Sequence, residues 1–262
     1  MRKRMAIVAT AAMVALAGCS SGGETTTPGT TAPSTSVPPS TAATASSESS
    51  PAPTSTDIMG IEGFVPIDPG TYFIDPDADP STPLRVVYQV PVDGWSQWIG
   101  AAKFDEAEGE HVAVSITTVE NVVRQACSNH SPADPPVGPG VDDLATALAD
   151  LAPFRVTSPP KNVTIYGYRG KHLELSVPDL PVSHEGFTEC LDDNLYSWMS
   201  PNLGPQGDNA FFGYTGPGYR EELWILDVGG TRLMIAAGRS AGSPSQALAE
   251  QQAILDSIRI EP

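Results

Sequence analysis

The chain has 262 residues, of which 14 are Lys or Arg and 31 are Asp or Glu, so its formal net charge at pH 7 is −17. Such an acidic surface repels phosphate backbones and anionic lipid head groups, which argues against nucleic-acid binding and against electrostatic adsorption to a membrane. The excess of acidic residues is more simply read as a device for solubility than as a site for cations.

Residues 1–18 have the layout of a secretory leader. Basic residues at positions 2–4 precede about a dozen mostly apolar residues, 5–17. That run is shorter than the roughly 20 apolar residues that a transmembrane helix needs. At the end of this run, Leu16-Ala17-Gly18-Cys19 resembles the lipobox of bacterial lipoproteins. In that motif the cysteine thiol takes a diacylglycerol and the leader is cut just before the cysteine. The resemblance predicts a lipid anchor on Cys19.

The predicted lipid anchor indicates that the protein is located at a membrane. Burial of acyl chains contributes about 0.8 kcal/mol per CH₂, so the two chains of a diacylglycerol hold a protein on a membrane where one chain binds only marginally. The alternative is an ordinary secretory leader that happens to be followed by a cysteine. We predict a lipoprotein of the cell membrane, on its extracytoplasmic face, with the membrane as a partner through the lipid.

Residues 19–57 are predicted to be a disordered linker. They are rich in Ser, Thr and Pro and contain almost no large apolar residue, so folding would gain little to offset its entropy cost. A flexible chain of this length spans about 35 Å on average. We therefore expect the folded domain to stand off the membrane.

Residues 58–262 are predicted to form a single folded domain. Strand patterns occur at 84–91 and 111–119, then at 162–168 and 172–178 with a turn at 169–171. Two further strands, 222–228 and 231–237, flank Gly229-Gly230, which is the clearest hairpin signal in the chain.

Two segments of the domain have helical patterns. Residues 141–152 place four apolar side chains on one face, carry Asp142 and Asp143 in the first turn and end before Pro153. The second helix is predicted to begin at 243–246, where Ser243 would be the N-cap and Pro244 the first helical residue. Together these elements predict an α+β fold with a mostly antiparallel sheet and two helices.

If Cys19 carries the lipid, Cys127 and Cys190 remain as a pair in a compartment that permits disulfides. Closing a loop of about 60 residues contributes about 4 kcal/mol in the chain-entropy account. His130 follows Cys127 in a C-x-x-H spacing, but a metal site would need more ligands in register. We predict the disulfide, and no metal.

Aromatic residues are concentrated at 209–224, with Gly and Pro between them, and "GWSQW" adds Trp95 and Trp98. Such side chains either fill the end of a sheet or present flat faces to a sugar, a peptide or a protein. Core packing is the better reading for the set as a whole. Tyr214 and Tyr219 are the expected exceptions, because the residues between them form a turn.

Several segments of the chain resemble a family of secreted actinobacterial proteins and lipoproteins of unknown function. The resemblance covers nearly all of 70–262 and is carried by "GTYFID", "VPVDGW", "VGPGVDDLATALADL", "GYRGKHLELSVP", "LWILDVGGTRLMIAA" and "AILDSIRIEP". The order of a P-x-G-W segment, a late hairpin and a closing helix is also similar to the Mog1/PsbP-like fold. Members of that fold class act mainly in binding or assembly, so the resemblance implies a non-catalytic function and assigns no functional residue.

The sequence has no nucleophile elbow, zinc-protease motif, P-loop or dinucleotide-binding fingerprint, and its four histidines are scattered. His172 and Glu174 share one face of a strand, which favours a surface pair. We therefore predict a monomeric module without cofactor or catalysis that binds an envelope component or protein partner. The alternative is a secreted hydrolase with a dispersed acid/base site, drawn from four residues around Cys190: His184, Glu185, Asp192 and Asp193.

Overall fold

The computed structural model of the protein describes residues 55–105, 110–183, 186–203, 210–214 and 216–262. The predicted leader, Cys19 and almost all of the predicted linker lie outside these residues, as do His184 and Glu185. In the part of the chain that is described, no helix is long and apolar enough to cross a membrane.

The fold is α+β, with mostly antiparallel sheets and two helices, as predicted. Its largest sheet is antiparallel throughout. The strands of this main sheet are, in spatial order, β10 (Arg155–Ile165), β11 (Tyr168–Ser176), β14 (Arg220–Val228), β15 (Thr231–Arg239), β7 (Glu110–Thr118), β6 (Gly100–Asp105), β5 (Trp95–Trp98) and β2 (Pro66–Ile67).

Three smaller sheets complete the described strands. They are β1 (Thr56–Asp57), β3 (Gly70–Ile74), β4 (Arg85–Val90) and β16 (Arg259–Glu261) in one sheet, β8 (Val123–Gln125) with β9 (Asn129–Pro132), and β12 (Leu195–Ser200) with β13 (Ala210–Tyr214). Strand β1 pairs in parallel with β3, so Thr56 and Asp57 belong to the folded domain and not to the linker. Composition missed this because the first large apolar side chain of the core, Ile58, comes only after them.

Both predicted helices are present, with different ends. Helix α1 (Val141–Ala149) packs against β10, β11 and β14, and buries Leu144 and Leu148. Helix α2 (Ser245–Ser257) packs against β4 and β7, and its N-cap is Pro244. Ser243 does not cap it, because its hydroxyl donates to the backbone oxygen of His111 at 2.9 Å.

The two long hairpins test the turn predictions. Gly229 and Gly230 connect β14 to β15 with φ of 62° and 90°, which confirms the predicted turn. The turn between β10 and β11 lies at Tyr166-Gly167, so the prediction at 169–171 was wrong. Gly170 is inside β11, where a Cβ would lie 2.0 Å from the backbone oxygen of Ile225. Close packing of neighbouring strands explains this glycine, and no turn is involved.

The predicted disulfide between Cys127 and Cys190 is present. It joins the turn of the β8–β9 hairpin to a short 3₁₀ helix, Leu191–Asp193, which precedes β12. The backbone N–H of Leu191 donates to the backbone oxygen of Cys127 at 2.8 Å beside it. The crosslink thus ties two small sheets together.

Candidate ligand-binding cavity

Aromatic side chains surround a cavity of about 530 Å³ at one end of the main sheet. They form a closed cycle in which neighbouring ring centroids are 4.6–6.4 Å apart, within the range of favourable aromatic contacts. We call this cycle the aromatic cluster. Six of its seven members line the cavity, which we call the aromatic cavity, while Phe64 contacts Trp98 and Phe104 without lining it. In order around the cycle, the cluster consists of Phe64, Trp98, Phe212, Tyr214, Tyr219, His111 and Phe104.

The elements of the fold explain how these residues meet. Phe104 on β6 is paired directly with His111 on β7, so their side chains leave the same face of the sheet. Ser115 lies on that face of β7 too, and its hydroxyl accepts a hydrogen bond from Trp98 Nε1 at 3.2 Å. Strand β13 of a smaller sheet brings Phe212 within 6.4 Å of Trp98.

Tyr214 and Tyr219 line this cavity but do not project into solvent, so the expectation that they are exposed was wrong. Their exposed fractions are 6% and 5%. Tyr214 is the last residue of β13, and its hydroxyl bonds to Glu221 and lies 3.3 Å from Ser197 Oγ. Tyr219 stacks on His111, with ring centroids 4.6 Å apart. Each tyrosine is thus fixed as a wall of the cavity by partners on other strands.

Glu221 lies beneath the two tyrosines and was not predicted as a site residue. Its side chain is on the buried face of β14, and the residue is only 2% exposed. Burial raises the pKa of Glu221 to about 7, although the hydrogen bond from Tyr214 and the nearby Trp198 lower it. The signal was present in the sequence, because Glu221 is in phase with the buried Leu223 and Ile225 of the same strand.

The polar groups of the cavity wall are held neutral. Burial lowers the pKa of His111, whose Nδ1 lies 3.1 Å from Ser240 Oγ. Burial also raises the pKa of Tyr214 and of Tyr219 well above the usual value, with Glu221 adding to both shifts. Near neutral pH the wall therefore offers uncharged rings with a few hydrogen-bonding atoms.

The Ser240–His111 contact is a serine–histidine pair, which would supply two of the three elements of a hydrolytic triad. The third element is an acid that orients the imidazole. Among the described side chains, none of the carboxylates hydrogen-bonds to His111. The imidazole is instead held between the rings of Phe104 and Tyr219, at 5.1 and 4.6 Å.

The acid/base residues of the alternative hydrolase are only partly described. Asp192 lies 3.6 Å from His130 Nδ1, and its side chain is 71% exposed. Asp193 is the last residue of the 3₁₀ helix and takes a positive φ of 55°. The described residues therefore show a contact between an exposed Asp192 and a mostly buried His130 beside the disulfide, outside the aromatic cavity.

Two surface predictions also change. His172 pairs at 2.8 Å with Glu222, which lies diagonally across from it on the neighbouring strand, and not with Glu174. Glu174 instead accepts a hydrogen bond from Thr157 at 2.7 Å. The C-x-x-H segment cannot offer a thiolate to a metal, since Cys127 is in the disulfide. Within the described ranges, no group of three or more His, Cys, Asp or Glu side chains is placed to hold a metal ion.

Comparisons with known proteins leave the family open. No protein-family model and no curated protein matches the sequence. Among solved structures, the chain is similar to LpqN of Mycobacterium tuberculosis, whose structure is described as that of a protein involved in cell envelope biogenesis. The two share 11% identity over 78% of this chain and 95% of that one, with a TM-score of 0.35. Similarity at this level assigns no function, so the geometry of the cavity carries the functional argument.

Proposed function

We propose that the protein is a lipid-anchored extracytoplasmic module that binds the apolar part of a small envelope molecule in the aromatic cavity and does not catalyse a reaction. The observation that carries the proposal is the set of six mutually contacting aromatic rings that line a cavity of about 530 Å³. Ligand sites are typically concave, of roughly 300–1,000 Å³, and lined by apolar and aromatic side chains with a few convergent polar groups.

Apolar surface remains exposed beside the cavity. Phe64 and Phe104 are 51% and 46% exposed, and their ring centroids are 4.9 Å apart. Burial of apolar surface contributes about 25 cal/mol per Å². A ligand that covers both rings therefore gains binding free energy from their burial.

The charge state of the wall selects the ligand. His111 is neutral near physiological pH because of its burial, and both tyrosines keep their protons. An ion entering the cavity would lose water without gaining an opposite charge from these side chains. The aromatic cavity therefore favours an uncharged ring or chain.

Binding of the neutral fluorophore N-phenyl-1-naphthylamine tests the proposal. We expect saturable enhancement of its fluorescence, and a Phe104→Ala variant should bind it about tenfold more weakly, since truncating a contact aromatic commonly costs more than 1 kcal/mol. Leu191→Ala is the matched control, because Leu191 is 51% exposed but does not line the cavity. Equal affinities of the wild-type protein, Phe104→Ala and Leu191→Ala for the fluorophore would reject the aromatic cavity as the site.

A hydrolytic function has one observation in its favour, the 3.1 Å contact of Ser240 Oγ with His111 Nδ1. It predicts turnover of a p-nitrophenyl ester that is lost in Ser240→Ala. The binding proposal predicts that the wild-type protein and Ser240→Ala hydrolyse the ester at the same background rate. Turnover that depends on Ser240 would overturn the non-catalytic part of the proposal.

A further inference from the structure

A row of arginines crosses the main sheet near the aromatic cavity. Arg155 on β10 is opposite Ser176 on β11, Ser176 is opposite Arg220 on β14, and Arg220 is opposite Arg239 on β15. Residues directly opposite one another in antiparallel strands leave the same face of the sheet. All four residues line a second cavity, of about 540 Å³. We call the three arginines the arginine row.

The arginine row places like charges next to one another. Like charges directly opposite on neighbouring strands destabilise a sheet, and Arg220 and Arg239 are such a pair. Glu174 moderates the repulsion from 3.7 and 3.6 Å, which is longer than the usual 2.7–3.2 Å of a hydrogen bond. Arg220 and Arg239 are thus ion-paired with Glu174 but do not hydrogen-bond to it.

The hydrogen-bond donors of the row are unused. Each guanidinium has five N–H donors, and those of Arg155, Arg220 and Arg239 make no hydrogen bond to any residue that the structure describes. Arg232 shows the contrast, because its guanidinium donates to two backbone oxygens, those of Gly138 and Glu120.

The nearby carboxylates are already occupied. Glu174 accepts a hydrogen bond from Thr157 at 2.7 Å, and Glu222, which lies 4.0 Å from Arg239, pairs with His172 at 2.8 Å. These bonds hold the carboxylates in place beside the row. Asp179 also lines the cavity and has no such bond to a described residue, so it is the group there that would oppose an anion.

From this arrangement we infer that the arginine row binds an oxyanion, the phosphate group of a small organic molecule. Guanidinium groups match the two-oxygen geometry of such anions, and charge-assisted hydrogen bonds are the strong ones. A cavity of about 540 Å³ has room for an organic group beside the anion. The inference does not depend on the aromatic cavity, although Pro217, Ser240 and Ala241 border both spaces.

Calorimetric titration in low-salt buffer tests the inference, with glycerol 3-phosphate, inorganic phosphate and uncharged glycerol as probes. We expect saturable binding of glycerol 3-phosphate that weakens as salt is added, and none of glycerol. Binding of inorganic phosphate with equal affinity would show that the anion alone is recognised, and weaker binding that the organic group contributes. Either result supports the site, whereas failure of both phosphates to bind overturns it.

Matched variants separate a specific site from a general charge effect. Arg155→Gln and Arg220→Gln should each weaken glycerol 3-phosphate binding about tenfold or more, since hydrogen bonds to charged groups contribute about 1.5–3 kcal/mol. Arg259→Gln removes the same charge outside the cavity and should leave the affinity unchanged. Asp179→Asn should strengthen binding, which a variant with damaged folding would not do. An equal loss in all three arginine variants, or no gain from Asp179→Asn, would contradict the inference.

Discussion

Replacing Glu221 by Gln should change how the stability of the protein depends on pH. Glu221 is fully buried in the folded protein, and its pKa is raised from 4.5 to about 7. Between these two values the folded chain keeps the proton and the unfolded chain has lost it. The free energy of unfolding must then fall as the pH rises, because stability decreases wherever the folded state binds more protons.

The magnitude follows from the size of the shift. One pKa unit corresponds to 1.36 kcal/mol, so ionisation of Glu221 costs the folded state about 3 kcal/mol in total. The contribution of protonated Glu221 to the free energy of unfolding is therefore complete below pH 4.5, and it is lost once the pH exceeds about 7. A glutamine of similar shape at position 221 does not titrate.

Urea unfolding of both proteins across this pH range measures the effect. The wild-type free energy of unfolding, taken relative to Glu221→Gln, should fall by about 3 kcal/mol between the two limits. Tyr214→Phe removes the hydrogen bond that lowers the pKa of Glu221, so in that variant the fall should extend to higher pH. A difference between wild type and Glu221→Gln that does not vary with pH would refute the burial of a titrating carboxyl here.

Three further predictions follow from the anchor, the crosslink and the cavity wall. Cys19→Ser should abolish labelling of the protein by fatty-acid analogues, and mature labelled protein in that variant would contradict the lipoprotein prediction. Replacing Cys127 and Cys190 by Ala should lower the free energy of unfolding by about 2–5 kcal/mol in urea titrations, whereas an unchanged midpoint would show that the crosslink does not stabilise the fold. Gly238→Ala places a Cβ where the hydroxyl of Tyr219 lies, so both the melting temperature and N-phenyl-1-naphthylamine affinity should drop; unchanged values of both would contradict the packing described for this wall.

The elements that the sequence predicts best are those with local signals. The Gly229-Gly230 turn needs two residues with positive φ, and glycine adopts that conformation without steric cost. The apolar face of α1 is periodic within a single helix, so Leu144 and Leu148 could be placed from spacing alone. Gly170 misled the turn prediction because close strand packing also requires glycine, and the two causes look alike in one sequence.

The aromatic cavity was harder to predict because its walls come from separate parts of the chain. Trp98, His111 and Tyr219 meet only once β5, β7 and β14 have their places in the main sheet. The turn signal between Tyr214 and Tyr219 was real, but it described the backbone of 216–218 and not the direction of the two rings. Exposure depends on what covers a side chain, and residues distant in sequence supply that cover here.

The arginine row shows the same limit. Its members belong to three different strands, and only the register of the sheet places them opposite one another. Spacing along the sequence carries no trace of this arrangement. Charge counts also concealed it, because a chain with a net charge of −17 is not expected to gather cationic groups at one cavity.

The position of a bound probe decides whether the aromatic cavity holds an apolar ligand. Intermolecular nuclear Overhauser effects can be measured between N-phenyl-1-naphthylamine and the side-chain protons, aromatic and methyl, of the protein saturated with this probe. We expect contacts to the rings of Trp98, Phe104 and Tyr219, which line the cavity from different strands and loops. Contacts confined to residues outside the cavity, such as the exposed Leu191 and Val182, would contradict this expectation.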